Sequence, residues 1–158
     1  MDLEELASRL QVGRMTLAVA ESAAGGLLCA ELSRLPGSSA FFRGGVVAYD
    51  DGSKTELLHV PSAVLIESGS VSQHACLEMA SSVRDLFGAD IGLAETSISG
   101  PAGGTRAKPV GLCFVAVSGE AGDEVRRLRF TGDREHNRRA AVQGAIDLLA
   151  AYLGIAAK

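Results

Sequence analysis

A serine and a lysine can hydrolyse an amide without a metal: the serine oxygen attacks the carbonyl, and a desolvated lysine with a lowered pKa takes its proton. The sequence offers candidates for such a pair. Ser38 and Ser39 stand in PGSSAFF, residues 36–42, ahead of an apolar stretch, and Tyr49 and Lys54 stand in YDDGSK just beyond it. Ser39 and Lys54 would meet only if the surroundings of the intervening strand fold back. Taken alone, the serines read as turn residues and the lysine as a solvated charge. A further serine, Ser22, lies in ESAAGG, residues 21–26, where Gly25 and Gly26 permit close backbone approach and Ser22 can donate to or accept from a ligand.

Two other segments could bind. SISGPAGGTRAKPVG, residues 97–111, places Gly100, Gly103 and Gly104 after a strand, with Pro101 and Pro109 stiffening the turn. An ordered loop longer than about 12 residues is usually functional, and its N–H groups could cradle a phosphate or an oxyanion. GDREHNRR, residues 132–139, sets Asp133, Arg134 and Arg138 at a helix start, where arginine makes bidentate contacts to phosphate and Asp133 caps the helix. His59, His74 and His136 are isolated and no HExxH is present, so a metal hydrolase is disfavoured. The GxSxG elbow, the GxGxxG fingerprint and the Walker GxxxxGK[ST] are absent as well.

The elements that must position these residues follow from periodicity. Leu3, Leu6, Ala7 and Leu10 predict an amphipathic helix over the first dozen residues, ending near Gly13. Met15 to Ala20 is a short apolar run, the pattern of a strand buried on both faces, and Leu27 to Leu35 predicts a helix stopped by Pro36 and Gly37. Phe41 to Tyr49 predicts a second strand, with Lys54 opening a short helix after the turn. Ser72 is placed to cap a helix whose face carries Cys76, Met79, Ala80, Val83 and Leu86, with Gly88 as its stop. Strands are predicted at 91–98, 110–117 and 125–130, the last two as an antiparallel pair, and a helix from about Arg134 to Leu153 buries Val142, Ala145, Ile146, Leu149 and Leu153. Helices before, between and after the strands imply a three-layer α/β/α domain with a mixed, largely parallel central sheet, a single domain over residues 1–158.

Composition narrows the partners. The chain has 158 residues, 47% hydrophobic and 22% charged, which is globular and long enough to bury a core. A net charge of −4, 4% aromatics and no tryptophan disfavour nucleic acid, whose binding needs excess cations and stacking platforms. Six arginines between Arg126 and Arg139 could still hold one phosphate, though most read as solvated. Cys29, Cys76 and Cys113 lack metal-binding spacing and read as small core residues. No secretory signal and no apolar run approaching about 18 residues is seen, so the expectation is a cytoplasmic protein that does not engage membranes.

The motifs, in order, resemble a known family. AVAESAAGG, PGSSAFFRGGVVAYDDGSK, GSVSQHA, SISGPAGG, KPVG and FTGDREHNRR resemble the C-terminal domain of the competence- and damage-inducible protein CinA, over essentially the whole chain. That family includes nicotinamide-nucleotide amidases, which hydrolyse nicotinamide mononucleotide to nicotinate mononucleotide and ammonia. The resemblance implies Ser39 as nucleophile, from the family's GSS motif, and Lys54 as the catalytic lysine. It matches Tyr49 and Ser22 to further active-site positions, and Thr96 or Ser97 to the residue before the family's GIAGP-like loop. Gly103 and Gly104 fall on its paired loop glycines and Arg138 on the arginine of GDRxxxR, which would hold the 5′-phosphate. Gly25 and Gly26 complete the first loop. It further implies no cofactor, a small nucleotide as substrate, and a homodimer. The chain departs from the family pattern at Ala23 and Ala24, where Cys-Thr is usual, and at Ser97 and Ser99 in SISGPAGG. Both changes lie in binding loops. They motivate an alternative expectation, a non-catalytic nucleotide- or partner-binding module.

Overall fold

The computed structural model describes residues 3–155. Met1 and Asp2, which the helical reading of the N-terminus includes, lie outside the described residues. The elements run α1 (Leu3–Val12), β1 (Leu17–Glu21), α2 (Leu27–Ser33), a 3₁₀ turn (Ser38–Ala40), β2 (Phe42–Val47), α3 (Asp51–Leu58), α4 (Ser62–Ser68), α5 (Gln73–Phe87), β3 (Ile91–Ser97), β4 (Leu112–Gly119), β5 (Gly122–Arg129) and α6 (Arg134–Tyr152).

One five-stranded sheet forms in the order β2-β1-β3-β4-β5. β1 pairs in parallel with both β2 and β3, while β3–β4 and β4–β5 are antiparallel. The expected α/β/α sandwich with a mixed sheet is therefore present. Its parallel part is the three strands β2-β1-β3.

Strand alternation sorts the core into two halves. Leu17, Val19, Ile91, Leu93, Cys113, Val115 and Val117 pack with α1, α2 and α6. Ala18, Ala20, Ala94, Phe114 and Ala116 face the other way, against α5 and the Leu58, Val60 and Leu65 segment. The side chains on that second face are mostly alanine because α5 lies very close. A Cβ on Gly92 of β3 would be driven into the carbonyl oxygen of Ala80 and to 2.8 Å from the Arg84 Cβ.

Helix ends follow their capping chemistry. Ser72 Oγ accepts the Ala75 N–H at 3.1 Å and Gly88, at φ 56°, closes α5 in the left-handed region. Asp50 and Asp133 cap α3 and α6 in the same way, accepting from Ser53 and His136. The expected buried face of α5 holds except at Leu86, which is 54% exposed. Its neighbour Phe87 takes the inward place, lying where a Cβ on Gly44 of β2 would come within 2.7 Å of its ring. Helix α4 escaped the sequence reading, since in its seven residues only Leu65 is buried. No helix among the described residues is long and apolar enough to cross a membrane.

The chain leaves β1 through α2 to reach β2 on one side, then crosses back through α3, α4 and α5 to β3 on the other. The carboxyl ends of β1, β2 and β3 therefore flank a topological switch point, where open α/β sheets collect ligands.

Two alanine substitutions separate the packing constraint from glycine's backbone cost. Gly92→Ala should lower the unfolding free energy by about 1–3 kcal/mol or more, because neither the Ala80 carbonyl nor the α5 backbone can yield cheaply. Gly52→Ala, where the new Cβ meets only Asp50 Oδ1 at 3.6 Å within α3, should raise it by about 0.4–1 kcal/mol. Urea unfolding of the two variants against wild type measures both.

Candidate active site

Lys54 is the most unusual side chain in the molecule. It is 1% exposed although it carries an amine, and it lies at the carboxyl end of β2, swung inward by α3. Its Nζ lies 3.1 Å from Ser22 Oγ, 3.0 Å from the Ala48 carbonyl oxygen and 3.4 Å from that of Tyr49. Burial pushes its pKa below the ordinary lysine value, against the pull of the Asp51, Glu95 and Asp50 carboxylates. A neutral amine has two N–H bonds and one lone pair. In the neutral form that burial favours, the two carbonyls accept its hydrogens and the lone pair faces the Ser22 hydroxyl, the arrangement a general base requires.

Ser22, 6% exposed, begins the turn between β1 and α2, and two buried carboxylates hold that turn. Glu21 accepts from the N–H groups of Gly26 (2.9 Å), Leu28 (3.0 Å) and Cys29 (2.9 Å) at the start of α2. Glu95, reaching across from β3, accepts from Ser22 N–H at 3.1 Å and Ala24 N–H at 3.0 Å through one oxygen, and from the Ser97 hydroxyl at 2.5 Å through the other. Burial raises the Glu95 pKa, while these three hydrogen bonds pull it down. From the opposite side Arg138 donates to the Ala23 carbonyl at 2.9 Å and the Ala24 carbonyl at 2.8 Å. Gly25 and Gly26 take φ values of 61° and 97°, which complete the reversal into α2. Among the described hydrogen bonds, the N–H of Ala23 has no acceptor.

These groups surround a pocket of about 200 Å³ lined by Ser22, Ala23, Tyr49 and Lys54, by Ser70 and Val71 ahead of α5, by Ser97 to Gly100 and Ala102, and by Arg134. Arg134 donates to the Gly100 carbonyl and to the Tyr49 hydroxyl, both at 2.7 Å, and so ties the third strand's loop to the end of the second. A larger hollow of about 790 Å³ lies at the other end of the sheet, between Arg9, Met15, Asp90, Glu120 and Tyr152. It brings no nucleophile to a base. Among the described residues no group of three or more His, Cys, Asp or Glu is arranged to hold a metal ion.

Of the expected residues, Ser22, Tyr49, Lys54 and Ser97 line the pocket, and Gly25, Gly26, Ser39, Thr96, Gly103, Gly104 and Arg138 do not. Ser39 is exposed in the 3₁₀ turn before β2, whereas Lys54 follows that strand. Six strand residues, at about 3.3 Å each, put the two at opposite ends of β2, on the order of 17–20 Å apart. The Ser39–Lys54 pair is thus not formed within one chain, and Ser22 takes its place.

Arg138 is likewise corrected. Three of its N–H donors go to the Ala23 and Ala24 carbonyls and to Glu135 at 3.2 Å, so it holds the loop, and it stands outside the pocket lining, where Arg134 is found. Thr96 is fully buried and donates to the Ser70 carbonyl at 2.9 Å, fastening the strand end to the segment ahead of α5. Gly103 and Gly104 are exposed and stand outside the pocket lining, where Gly100 and Ala102 serve instead. Gly104 has a packing role, since a Cβ there would lie 2.6 Å from the Val110 nitrogen.

The sequence reading passed over Glu95, and it preferred Arg138 to Arg134. The signal for Glu95 was available: it is a carboxylate inside IGLAETS, an otherwise buried strand.

Comparison with known proteins places the chain in a family. A family model described as the CinA C-terminal domain matches residues 2–153. The chain is 42% identical over 153 residues to a putative competence-damage inducible protein of Acetivibrio thermocellus, covering 96% of this chain and 37% of that protein. It is 44% identical over 139 residues to a CinA-like protein of Desulfotalea psychrophila, covering 88% and 34%. The chain thus spans about a third of the length of the curated relatives it matches. Among solved structures it is similar to the competence damage-inducible protein A (ComA) of Klebsiella pneumoniae, with a TM-score of 0.92 and 34% identity over 96% of this chain and 94% of that one. The competence/damage inducible protein CihA of Agrobacterium tumefaciens gives a TM-score of 0.89 at 34% identity over 98% and 96%.

The burial of Lys54 has a pH signature. Between its lowered folded pKa and the ordinary 10.5, the folded chain binds fewer protons at this site than the unfolded chain, so stability rises with pH across that window. Each unit of lowering contributes about 1.4 kcal/mol. The unfolding free energy of wild type should therefore gain on that of Lys54→Met as pH rises from neutrality toward 10. Urea titrations at a series of pH values measure the gap, and a gap independent of pH would mean that the amine is not perturbed.

Proposed function

This chain belongs to the CinA C-terminal domain family, and from that premise we propose that it is a nicotinamide-nucleotide amidase, with Ser22 as nucleophile and Lys54 as general base. The observation that carries the reading is the buried 3.1 Å contact between Lys54 Nζ and Ser22 Oγ, at the edge of a pocket at the switch point.

The reaction runs as acyl transfer. Lys54 takes the Ser22 proton as Oγ attacks the carboxamide carbon, and the carbonyl oxygen becomes an oxyanion. The Ala23 N–H, lying next to Ser22 and without an acceptor among the described residues, is the donor placed to meet that charge. Lys54 returns the proton to the amide nitrogen, the C–N bond breaks and ammonia leaves. A water molecule then attacks the acyl-enzyme, giving its proton to Lys54, and the carboxylate product departs as Ser22 regains its hydrogen.

The pocket, at about 200 Å³, is below the ~300 Å³ at which whole drug-sized ligands are enclosed, and it suits the carboxamide-bearing ring alone. The ribose and phosphate would lie outward, toward Arg134, whose guanidinium is a natural partner for a phosphate. Tyr49, through its hydroxyl contact to Arg134, would hold that cation in place. The reading calls for no cofactor, and the nucleotide substrate points to the cytoplasm.

Ammonia release from nicotinamide mononucleotide tests the proposal. Wild type should turn over, and Ser22→Ala and Lys54→Ala should each lower kcat by about 10³-fold or more, as removal of a nucleophile or its base does. Ser39→Ala should stay within about threefold of wild type, since Ser39 stands far from the base. The kcat/KM of wild type should climb with pH through the lowered Lys54 pKa and then level off. Absence of turnover by folded wild type sinks the amidase assignment and favours a binding module. Loss of activity in Ser39→Ala with retention in Ser22→Ala would return the nucleophile to Ser39.

A further inference from the structure

We infer that Glu95 is a positioning residue for the nucleophile, acting through the two N–H groups on either side of Ala23. The inference rests on the amidase reading for its purpose and on the loop geometry for its content.

One oxygen of the fully buried carboxylate accepts from Ser22 N–H and Ala24 N–H, skipping the amide between them. A turn that leaves a strand presents successive N–H groups toward its concave side. Engaging the first and third through a single acceptor fixes the backbone dihedrals that link them. It also leaves the Ala23 N–H, at a pocket-lining residue, without an acceptor among the described residues.

The other carboxylate oxygen is held by the Ser97 hydroxyl, itself 3.4 Å from the Ser99 hydroxyl at the pocket wall. Glu95 is thus immobilised at both ends. Arg138 closes the arrangement from outside by taking the Ala23 and Ala24 carbonyls. With a backbone of one conformation, Ser22 Oγ stays 3.1 Å from the base in every molecule, which is how preorganisation raises the rate of a step without tightening binding.

The place of Glu95 in the strand supports a specific purpose. It interrupts a strand otherwise lined by Ile91, Leu93 and Ala94, all buried, and a lone buried carboxylate is costly unless its acceptors are used. Two of its three partners lie in the loop that carries Ser22, and the third, Ser97, ends the strand at the pocket wall. What matters is its shape as an acceptor; its charge is secondary. Glutamine keeps a carbonyl oxygen in the same place, whereas valine matches the apolar strand and removes the acceptor.

The test measures the reactivity of Ser22 itself. An alkyl fluorophosphonate reacts with an activated serine: a bond forms between Oγ and phosphorus, the P–F bond breaks, fluoride leaves and Lys54 takes the hydroxyl proton. Mass spectrometry of the intact chain and its peptides gives the maximal labelling rate and the half-saturating probe concentration at Ser22. Glu95→Gln should retain the maximal rate within about threefold, and Glu95→Val should lose about 100-fold while the half-saturating concentration stays within about threefold. Ser97→Ala, which frees one end of the carboxylate and leaves the strand intact, should lose about tenfold in the same parameter. That variant keeps the test decisive if Glu95→Val does not fold.

Equal maximal rates in folded wild type and Glu95→Val would overturn the inference. So would a loss in Glu95→Gln as deep as in Glu95→Val, unchanged labelling in Ser97→Ala, or the absence of Ser22 labelling in wild type. Ammonia release measured on the same preparations separates the two readings. Ser22 labelling with the expected variant pattern but no ammonia overturns the amidase and leaves the role of Glu95 standing.

Discussion

An amine hidden from water dictates the rest of this structure. Protonated lysine in a low-dielectric site is expensive, so burial lowers the pKa of this amine, and the fold gives its hydrogens backbone carbonyls as acceptors. The Ala48 and Tyr49 carbonyls can serve only because the chain leaves β2 and turns sharply under the Asp50 cap into α3. The direction left over belongs to Ser22, which requires β1 to end beside β2 and in parallel with it. Sheet topology, helix capping and the protonation state of one side chain are therefore a single constraint.

The loop carrying Ser22 meets a second constraint, that of a sharp turn in a buried place. Glu21 and Glu95 take up N–H groups of this turn from beneath, while Arg138 donates to its carbonyls from above. Buried ionisable groups are retained where their hydrogen bonds are complete, and here Glu21 and Glu95 each accept from several donors. The cost of burying charge is offset by order at the one place where the chemistry needs it.

The fold was legible because its elements are locally consistent. The apolar stripe of α6, the Ser72 cap and Gly88 stop of α5, and the short runs of β1 and β3 all state their structure through spacing alone. The site was legible only in part. Periodicity puts Ser39 and Lys54 on either side of a strand but does not state that the six residues of that strand hold them a strand's length apart. Resemblance assigned roles to motifs, and GSS and GDRxxxR lie where other elements intervene. Arg134 and Arg138 stand one helical turn apart, so which of them meets the pocket depends on the docking of α6, a long-range fact. Glu95 alone was within reach of simple inspection, as a charge in an apolar strand.

The hold on the Ser22 turn is assembled from far along the chain: Glu95 comes 73 residues after Ser22 and Arg138 115 residues after Ala23. During synthesis the serine leaves the ribosome long before the residues that will fix it. A nascent chain therefore carries Ser22 on an unconstrained segment, and its turn is fixed only when the C-terminal helix docks. On the amidase reading, folding is thus the step that brings serine and lysine into register.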